Sequence, residues 1–428
     1  MVNQILRLER RPNHCQLFSW INYIILMMFT NIDQGIAWIT SKRNTGHTFE
    51  NFKKICEKLN NPQNSFYMIH VAGTDGKGST VTYLRDLLMS QGYKVGTLQS
   101  PHYITHLDRI RINNSNIPDD TFLKLLNDNY QMFVDNDLSM FEMDYLIMCY
   151  YFIQEHVDFA IVEVGIGGRL DATNVVDNTK LSIITTIGYD HMELLGDTLP
   201  KICFEKCGII KDNSIVLSGH LKQECDEVVI KEANRHNAKY YKLTNYEDLG
   251  NRTFSFNGEN YSIDSYAKYQ LHNASLALCA FDLIAKDYGF VIDLQKAKKA
   301  LSLSNWPNRF EIVKDIPRVI LDGAHNIHGI SASMDSFDQF DGSKCIIFSC
   351  LKRKEYKKMI ELLTGHADKI ILTSFDNDGV IDLNEFNNLE TIKDYKQAIN
   401  YAISNFDNIL ICGSLYFLSD VVLNYDFK

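Results

Sequence analysis

Residues 67–91, YMIHVAGTDGKGSTVTYLRDLLMSQ, decide how this chain is read. Residues 67–71 form a short apolar run, as a buried strand does. From residue 79 the apolar Val81, Leu84, Leu87 and Leu88 recur at helical spacing until Gly92 stops the run. Between strand and helix lies the glycine-rich turn of IHVAGTDGKGST, residues 69–80. Backbone N–H groups in such a loop, with the positive end of the helix, face phosphate oxygens; Lys77 adds a point charge and Ser79 a hydroxyl suited to a metal ion. The spacing departs from the usual Walker pattern, because Gly73 stands three residues before Gly76 and Gly78 separates Lys77 from Ser79. A tight turn alone has no need of the lysine between a strand and a helix.

Outward from this loop, apolar runs alternate with helical patterns, the mark of parallel α/β architecture. Strands are expected at residues 95–99, 159–164, 181–187 and 214–217, and helices at 121–133, 141–156 and 199–207. After Trp306-Pro307 a second series places strands at 318–321, 345–349, 369–373 and 408–412. The expected fold is α/β: a P-loop-containing parallel-sheet ATPase domain over residues 30–303 and a smaller Rossmann-like α/β domain over 304–428, behind an N-terminal extension of residues 1–29.

Composition narrows the function classes. The 428 residues carry 43 Lys plus Arg against 53 Asp plus Glu, a net charge of −10, which argues against bulk binding to nucleic acid or anionic lipid. An anionic ligand then needs a local cationic site. Ten cysteines without a C-x-x-C pair or a Cys-His zinc spacing argue against a disulfide framework or structural zinc and point to a reducing, cytoplasmic compartment. Residues 17–29, LFSWINYIILMMF, follow Arg7, Arg10 and Arg11 in a signal-peptide-like layout. The apolar run is shorter than the ~18 residues of a membrane span and no small-residue cleavage site follows, so neither secretion nor anchoring is expected. A further reading starts translation at Met27 or Met28; an intact mass beginning at Met1 excludes it.

Several strand ends carry chemistry. In AIVEVGIGGRLDATN, residues 160–174, Glu163 ends an apolar run before a glycine-rich turn; Ser100 ends another strand, and Asp190-His191 follow a third. In open α/β sheets such positions gather at the carboxyl edge, where ligands bind. Ser79, Ser100 and Glu163 are hard oxygen donors suited to Mg2+, whereas His191 is less usual for that ion and reads equally as a core histidine when taken alone. Lys206 reads by composition as a solvated lysine. In VILDGAHN, residues 319–326, an apolar strand ends in Asp322 and His325; the competing reading is an Asx turn capping the next helix.

HVAGTDGKGST, SPH at 100–102, EVGIGGRLDATN, DHMELLG at 190–196, FEKCGIIK at 204–211, WPNRFE at 306–311, DGAHN and GSLYF at 413–417 stand in one order. In these strings the chain resembles, over residues 30–428, the folylpolyglutamate synthase and dihydrofolate synthase family of the Mur ligase group. The resemblance implies an ATP-dependent amide ligase that adds L-glutamate to the γ-carboxylate of tetrahydrofolate through an acyl phosphate. It implies that Gly73, Thr74, Asp75, Gly76, Lys77, Gly78 and Ser79 hold the phosphates, with Asn273, Arg309 and Asp322 as further ATP contacts. One or two Mg2+ ions would be served by Ser79, Ser100, Glu163, His191 and a carbamylated Lys206. Lys77, Lys206, Asp322 and His325 are then the catalytic candidates, with His325 and Ser414 near the incoming glutamate. The implied partners are reduced folate, L-glutamate and ATP, bound by a monomer with no nucleic acid or membrane partner.

Three positions depart from the family pattern. Asp75 replaces the usual Asn, so Asp75→Asn is expected to keep or improve ATP affinity. Ile327 replaces a proline, with little effect expected. Residues 41–52, SKRNTGHTFENF, lack the Ile-Asp-Leu-Gly-Leu-type string seen where dihydropteroate binds, which weighs against the alternative of a bifunctional enzyme. A non-catalytic nucleotide-binding homologue is a further alternative; the joint presence of Lys77, Glu163, His191, Lys206, Arg309 and Asp322 weighs against it.

Overall fold

The computed structural model describes residues 29–43, 48–386 and 388–427. Helices α1 (Ile32–Ser41) and α2 (Phe49–Lys58) lead into β1 (Tyr67–Ala72), and α3 (Lys77–Ser90) leaves the glycine turn. Next come β2 (Val95–Leu98), the short β3 (Ile110–Ile112) and β4 (Ser115–Asn116), α4 (Asp119–Asp135), α5 (Met140–Gln154) and β5 (Phe159–Glu163). β6 (Leu181–Ile184), α6 (Met192–Leu195), α7 (Leu199–Cys207), β7 (Ile215–Ser218), α8 (Gln223–Arg235) and β8 (Lys239–Lys242) complete an eight-stranded sheet of order β4-β3-β2-β5-β1-β6-β7-β8. Pairing is parallel from β2 through β8. At the other edge β3 runs antiparallel to both β2 and β4.

The central β1, β5 and β6 are covered on both faces, which is why they appear as unbroken apolar runs. Beyond β8, β9 (Tyr246–Gly250), β10 (Thr253–Phe256) and β11 (Glu259–Ser262) form a separate antiparallel sheet, followed by α9 (Lys268–Tyr288) and α10 (Leu294–Leu303). One core packs Phe122, Leu126, Leu146 and Phe152 from α4 and α5 against the large sheet. A second packs Leu84, Leu88, Ala277 and Phe281 from α3 and α9, and a third packs Leu199, Cys203 and Val229 from α7 and α8. Each such leucine or phenylalanine contributes roughly 1.5–3 kcal/mol by leaving water.

The second sheet comprises β12 (Arg309–Asp315), β13 (Arg318–Asp322), β14 (Lys344–Phe348), β15 (Lys369–Ser374), β16 (Glu390–Asp394) and β17 (Asn408–Cys412), in the order β12-β13-β17-β14-β15-β16. All pairs are parallel except β12 with β13. Helices α11 (Ile327–Phe337), α12 (Tyr356–Leu363), α13 (Tyr395–Asn405) and α14 (Leu415–Asn424) alternate with these strands.

The differences from expectation have local causes. β6 stops at Ile184, short of residue 187, because Thr185 and Thr186 turn their hydroxyls to the carbonyl of Asp75. β9 is exposed along most of its length and offers no apolar run; Phe254 and Phe256 of the neighbouring β10 anchor that sheet. β12 is mostly half-buried and polar and gives equally little signal. The reading of residues 17–28, including a start at Met27 or Met28, lies outside the described residues. Phe29 packs its ring on Trp38 and Tyr130, at 5.5 and 5.6 Å between centroids. Among the described residues no helix is long and apolar enough to cross a membrane.

Candidate active site

The turn after β1 is shaped by two glycines. Gly76 takes φ +81° at the cap of α3, and a Cβ there would stand 2.4 Å from Asn273 Oδ1. At Gly73 a Cβ would fall 1.8 Å from Thr185 Oγ1. The loop therefore lies flat on the end of β6: Thr74 N donates to Thr186 O at 2.8 Å, and Asp75 N to Thr186 Oγ1 at 3.0 Å. Lys77 folds back, donating to the carbonyls of Gly73 and Thr74 at 3.1 Å each.

Lys206 of α7 donates to the same Gly73 carbonyl at 2.9 Å. It is not a solvated lysine: its residue exposure is 5%, and burial together with nearby Lys77 lowers its ammonium pKa to about 7. Two lysines on one oxygen prepare this point for negative charge. Glu163, at the end of β5, has Oε1 4.0 Å from Lys77 Nζ. Burial pushes its carboxyl up to about 7 against the pull of Lys77 and Arg309. Ser79, Ser100 and His191 line the same cavity of about 370 Å³ as Glu163, Lys77 and Lys206. His191, at φ +50°, lies between Asp190 at 3.9 Å and Glu193 at 3.7 Å, with its pKa lowered chiefly by burial. Among the described residues no three His, Cys, Asp or Glu side chains gather as a ready-made metal cage. The hard-oxygen set of Ser79, Ser100 and buried Glu163 nevertheless fits Mg2+, which keeps several waters and takes few protein ligands.

The opposite wall comes from the second sheet. The β12–β13 register sets Arg309 opposite Asp322, and Tyr269 Oη donates to Asp322 Oδ2 at 3.2 Å. Burial raises the Asp322 pKa to about 6 despite Ser333 and Arg309. His325 Nδ1 donates to Gly323 O at 2.8 Å, and burial, then Lys354, lowers its pKa to about 4. Its Nε2 therefore carries a lone pair. The cap of α11 is Asn326, which accepts from Gly329 N, so the Asx-turn reading holds for Asn326 rather than for Asp322. Asn273 donates to Gln270 Oε1 at 3.0 Å and Gln270 to Ser79 Oγ at 3.1 Å, so Gln270, absent from the sequence-based set, orients both.

A second cavity of about 490 Å³ adjoins the first and shares Ser100, His191 and His325 with it. Ser414 lies here. So do Arg43, Arg109, Arg353 and Lys354, beside the apolar Phe141 and Leu170. Sequence reasoning missed these cations; the run Lys352-Arg353-Lys354, separated by three residues from an apolar strand, was the available signal. Asp171, also missed, accepts from Thr173 and from Ile166 N, tying together the turn after β5.

Gly168 and Gly208 seat α7 on that turn. A Cβ on Gly168 would stand 2.8 Å from the carbonyl oxygens of both Glu205 and Lys206, and one on Gly208 2.4 Å from Arg169 Cα. These neighbours are backbone and give way only if α7 moves. Gly168→Ala is expected to lower kcat roughly tenfold by displacing Lys206, with a melting temperature reduced by only a few degrees; wild-type kcat in this variant contradicts that role for α7.

Residues 71–281 match the Mur ligase middle domain and residues 308–415 the glutamate ligase domain of Mur ligases. The chain is 34% identical over 426 residues to the dihydrofolate synthase/folylpolyglutamate synthase of Bacillus subtilis, covering 92% of this chain and 99% of that one. Mycobacterium tuberculosis folylpolyglutamate synthase complexed with ADP and AMPPCP shares the fold, with a TM-score of 0.82 at 23% identity over 93% of this chain and 100% of that chain. An FPGS-AMPPCP-folate complex aligns with a TM-score of 0.79 at 27% identity, covering 92% and 98%. With the two domains in this order and near-complete coverage, the chain belongs to the dihydrofolate synthase/folylpolyglutamate synthase family of Mur ligases.

Proposed function

We propose that this protein is an ATP-dependent amide ligase that joins L-glutamate to the γ-carboxylate of tetrahydrofolate. The observation that carries this reading is the meeting of Lys77, Lys206 and Glu163 with Asp322 and His325 across one cleft, beside a cationic second cavity. Residues 30–303 carry the phosphate loop, and residues 304–428 present the glutamate and complete the nucleotide site. The loop amides, the start of α3 and Lys77 bind the phosphates, with Asn273, Arg309 and Asp322 as further nucleotide contacts. Ser79, Ser100, Glu163, His191 and Lys206 would hold one or two Mg2+ ions, which supply charge neutralisation on the phosphate oxygens. Near pH 7 Lys206 is partly the free amine. Its nitrogen can bond to the carbon of CO2 and lose a proton, converting a cation into a carbamate.

Transfer of the γ-phosphoryl group to the folate carboxylate makes an acyl phosphate, which the glutamate amine attacks as phosphate leaves. Neutral His325 takes the proton shed by that amine. Ser414 and the cations of the second cavity hold carboxylates. Arg353→Ala is expected to raise KM for glutamate roughly tenfold with kcat changed far less; steady-state kinetics check it, and an unchanged KM removes Arg353 from the glutamate site. The nine described cysteines are free thiols, which supports a cytoplasmic setting.

A bifunctional enzyme that also extends dihydropteroate is favoured by the 34% identity to a bifunctional relative. One experiment separates the readings: ATP, Mg2+ and glutamate are supplied with either acceptor, and the product and phosphate are measured. Phosphate release that needs tetrahydrofolate and glutamate together supports the main reading; extension of dihydropteroate as well supports the second. ATP binding without any acceptor-dependent release refutes both.

A further inference from the structure

Asp75 is fixed to the first sheet by its backbone, with N bound to Thr186 Oγ1 and O accepting from Thr185 Oγ1 at 2.6 Å. Its side chain crosses to the other domain. Oδ2 accepts from His328 Nδ1 at 2.7 Å and Oδ1 from Asn326 Nδ2 at 3.0 Å. Asn326 also caps α11 and His328 stands in its first turn, so the carboxylate is held by side chains at the start of that helix. The His328 ring rests on the backbone at Gly188, where a Cβ would stand 3.3 Å from His328 Cγ. A second bridge, Lys354 to Asp190 at 2.7 Å, joins the domains nearby. Asp75, Lys77 and His328 all line the cavity that holds the phosphate loop.

We propose that Asp75 and His328 form an interdomain clamp in which His328, as a positioning residue, neutralises the loop carboxylate and turns it away from the nucleotide phosphates. This rests on the reading of residues 69–80 as the ATP loop. An uncompensated carboxylate in that turn repels a triphosphate. The family's usual Asn needs no such partner, whereas Asp75 has one supplied by the opposite domain. The clamp thereby makes nucleotide affinity depend on the closed arrangement of the two domains. Although burial opposes ionisation of Asp75, the hydrogen bonds and charge of His328 hold its carboxyl well below the usual range. The Asp75 hydrogen bond raises His328 in turn, against burial and the charge of Lys222.

The test is a double-mutant cycle on the full chain, read as AMPPCP affinity by calorimetry in Mg2+, with KM for ATP and kcat measured alongside. His328→Ala is expected to weaken AMPPCP binding about fivefold, raising KM for ATP more than it lowers kcat. Asp75→Asn should bind AMPPCP more tightly than His328→Ala, and the double variant should bind like Asp75→Asn alone, because the carboxylate that needed neutralising is gone. His328→Asn, which keeps a donor without the charge, should fall between and serves if the alanine variant folds poorly. Unchanged affinity in His328→Ala, or an equal loss in His328→Ala and the double variant, overturns the clamp. Wild-type protein that fails to bind AMPPCP overturns the nucleotide reading and the clamp with it; wild-type binding without coupling overturns the clamp alone.

Discussion

Lys206→Ala is expected to lower kcat by about a factor of 10² to 10³ while the protein stays folded. The side chain is buried and shares one carbonyl oxygen with Lys77, an arrangement that two permanent cations disfavour. Removing it costs little stability, because a buried ammonium is itself unfavourable. What is lost is the charge that a carbamate would bring to the phosphate site. Lys206→Arg separates that role from a simple positive charge: arginine stays protonated and cannot form the carbamate, so it should be as impaired as alanine. Partial recovery of Lys206→Ala by a short carboxylate such as acetate is the matching gain. Wild-type kcat in Lys206→Arg rules the carbamate out.

Glu163→Gln should show activity and stability moving in opposite directions. Its carboxyl is held near 7 in the fold against 4.5 as the ordinary value, so the folded state favours the protonated form. The native protein therefore binds the extra proton between those values, and Glu163 lowers stability as pH rises through them. Glutamine imitates the protonated group. The variant should melt above wild type at pH 8, with the difference shrinking towards pH 4.5, while kcat falls about a hundredfold or more through loss of the charge that would help hold Mg2+ at the proposed phosphate site. Melting curves across this range, with single-turnover phosphate release, test both halves. A variant that melts lower than wild type at pH 8 would falsify the account of Glu163 as a strained, functional carboxylate.

Much of the candidate site was legible because its signals are local. Glycines, a lysine and a serine between an apolar run and a helical period mark the turn between β1 and α3, and Glu163 and Asp322 each close an apolar strand. Less legible were elements without an apolar run, such as β9 and β12, whose stability comes from ladder hydrogen bonds and neighbouring strands rather than from their own residues. The cations Arg43, Arg109, Arg353 and Lys354 come from three separate loops or element ends, and their common cavity appears only on folding.

By itself, the sequence determined the α/β class, the order of the buried apolar strands along the chain, the glycine turn between β1 and α3 and the identity of the groups able to do chemistry. These depend on periodicity and on neighbours a few residues apart. Tertiary structure alone decided which charges are buried and what faces them. Lys206 meets the Gly73 carbonyl across 133 residues, and Asp75 meets His328 across 253. The difference has one physical reason: a lysine's desolvation, or a carboxylate's counter-charge, is a property of the whole surrounding volume, and that volume is assembled from segments with no local trace of one another.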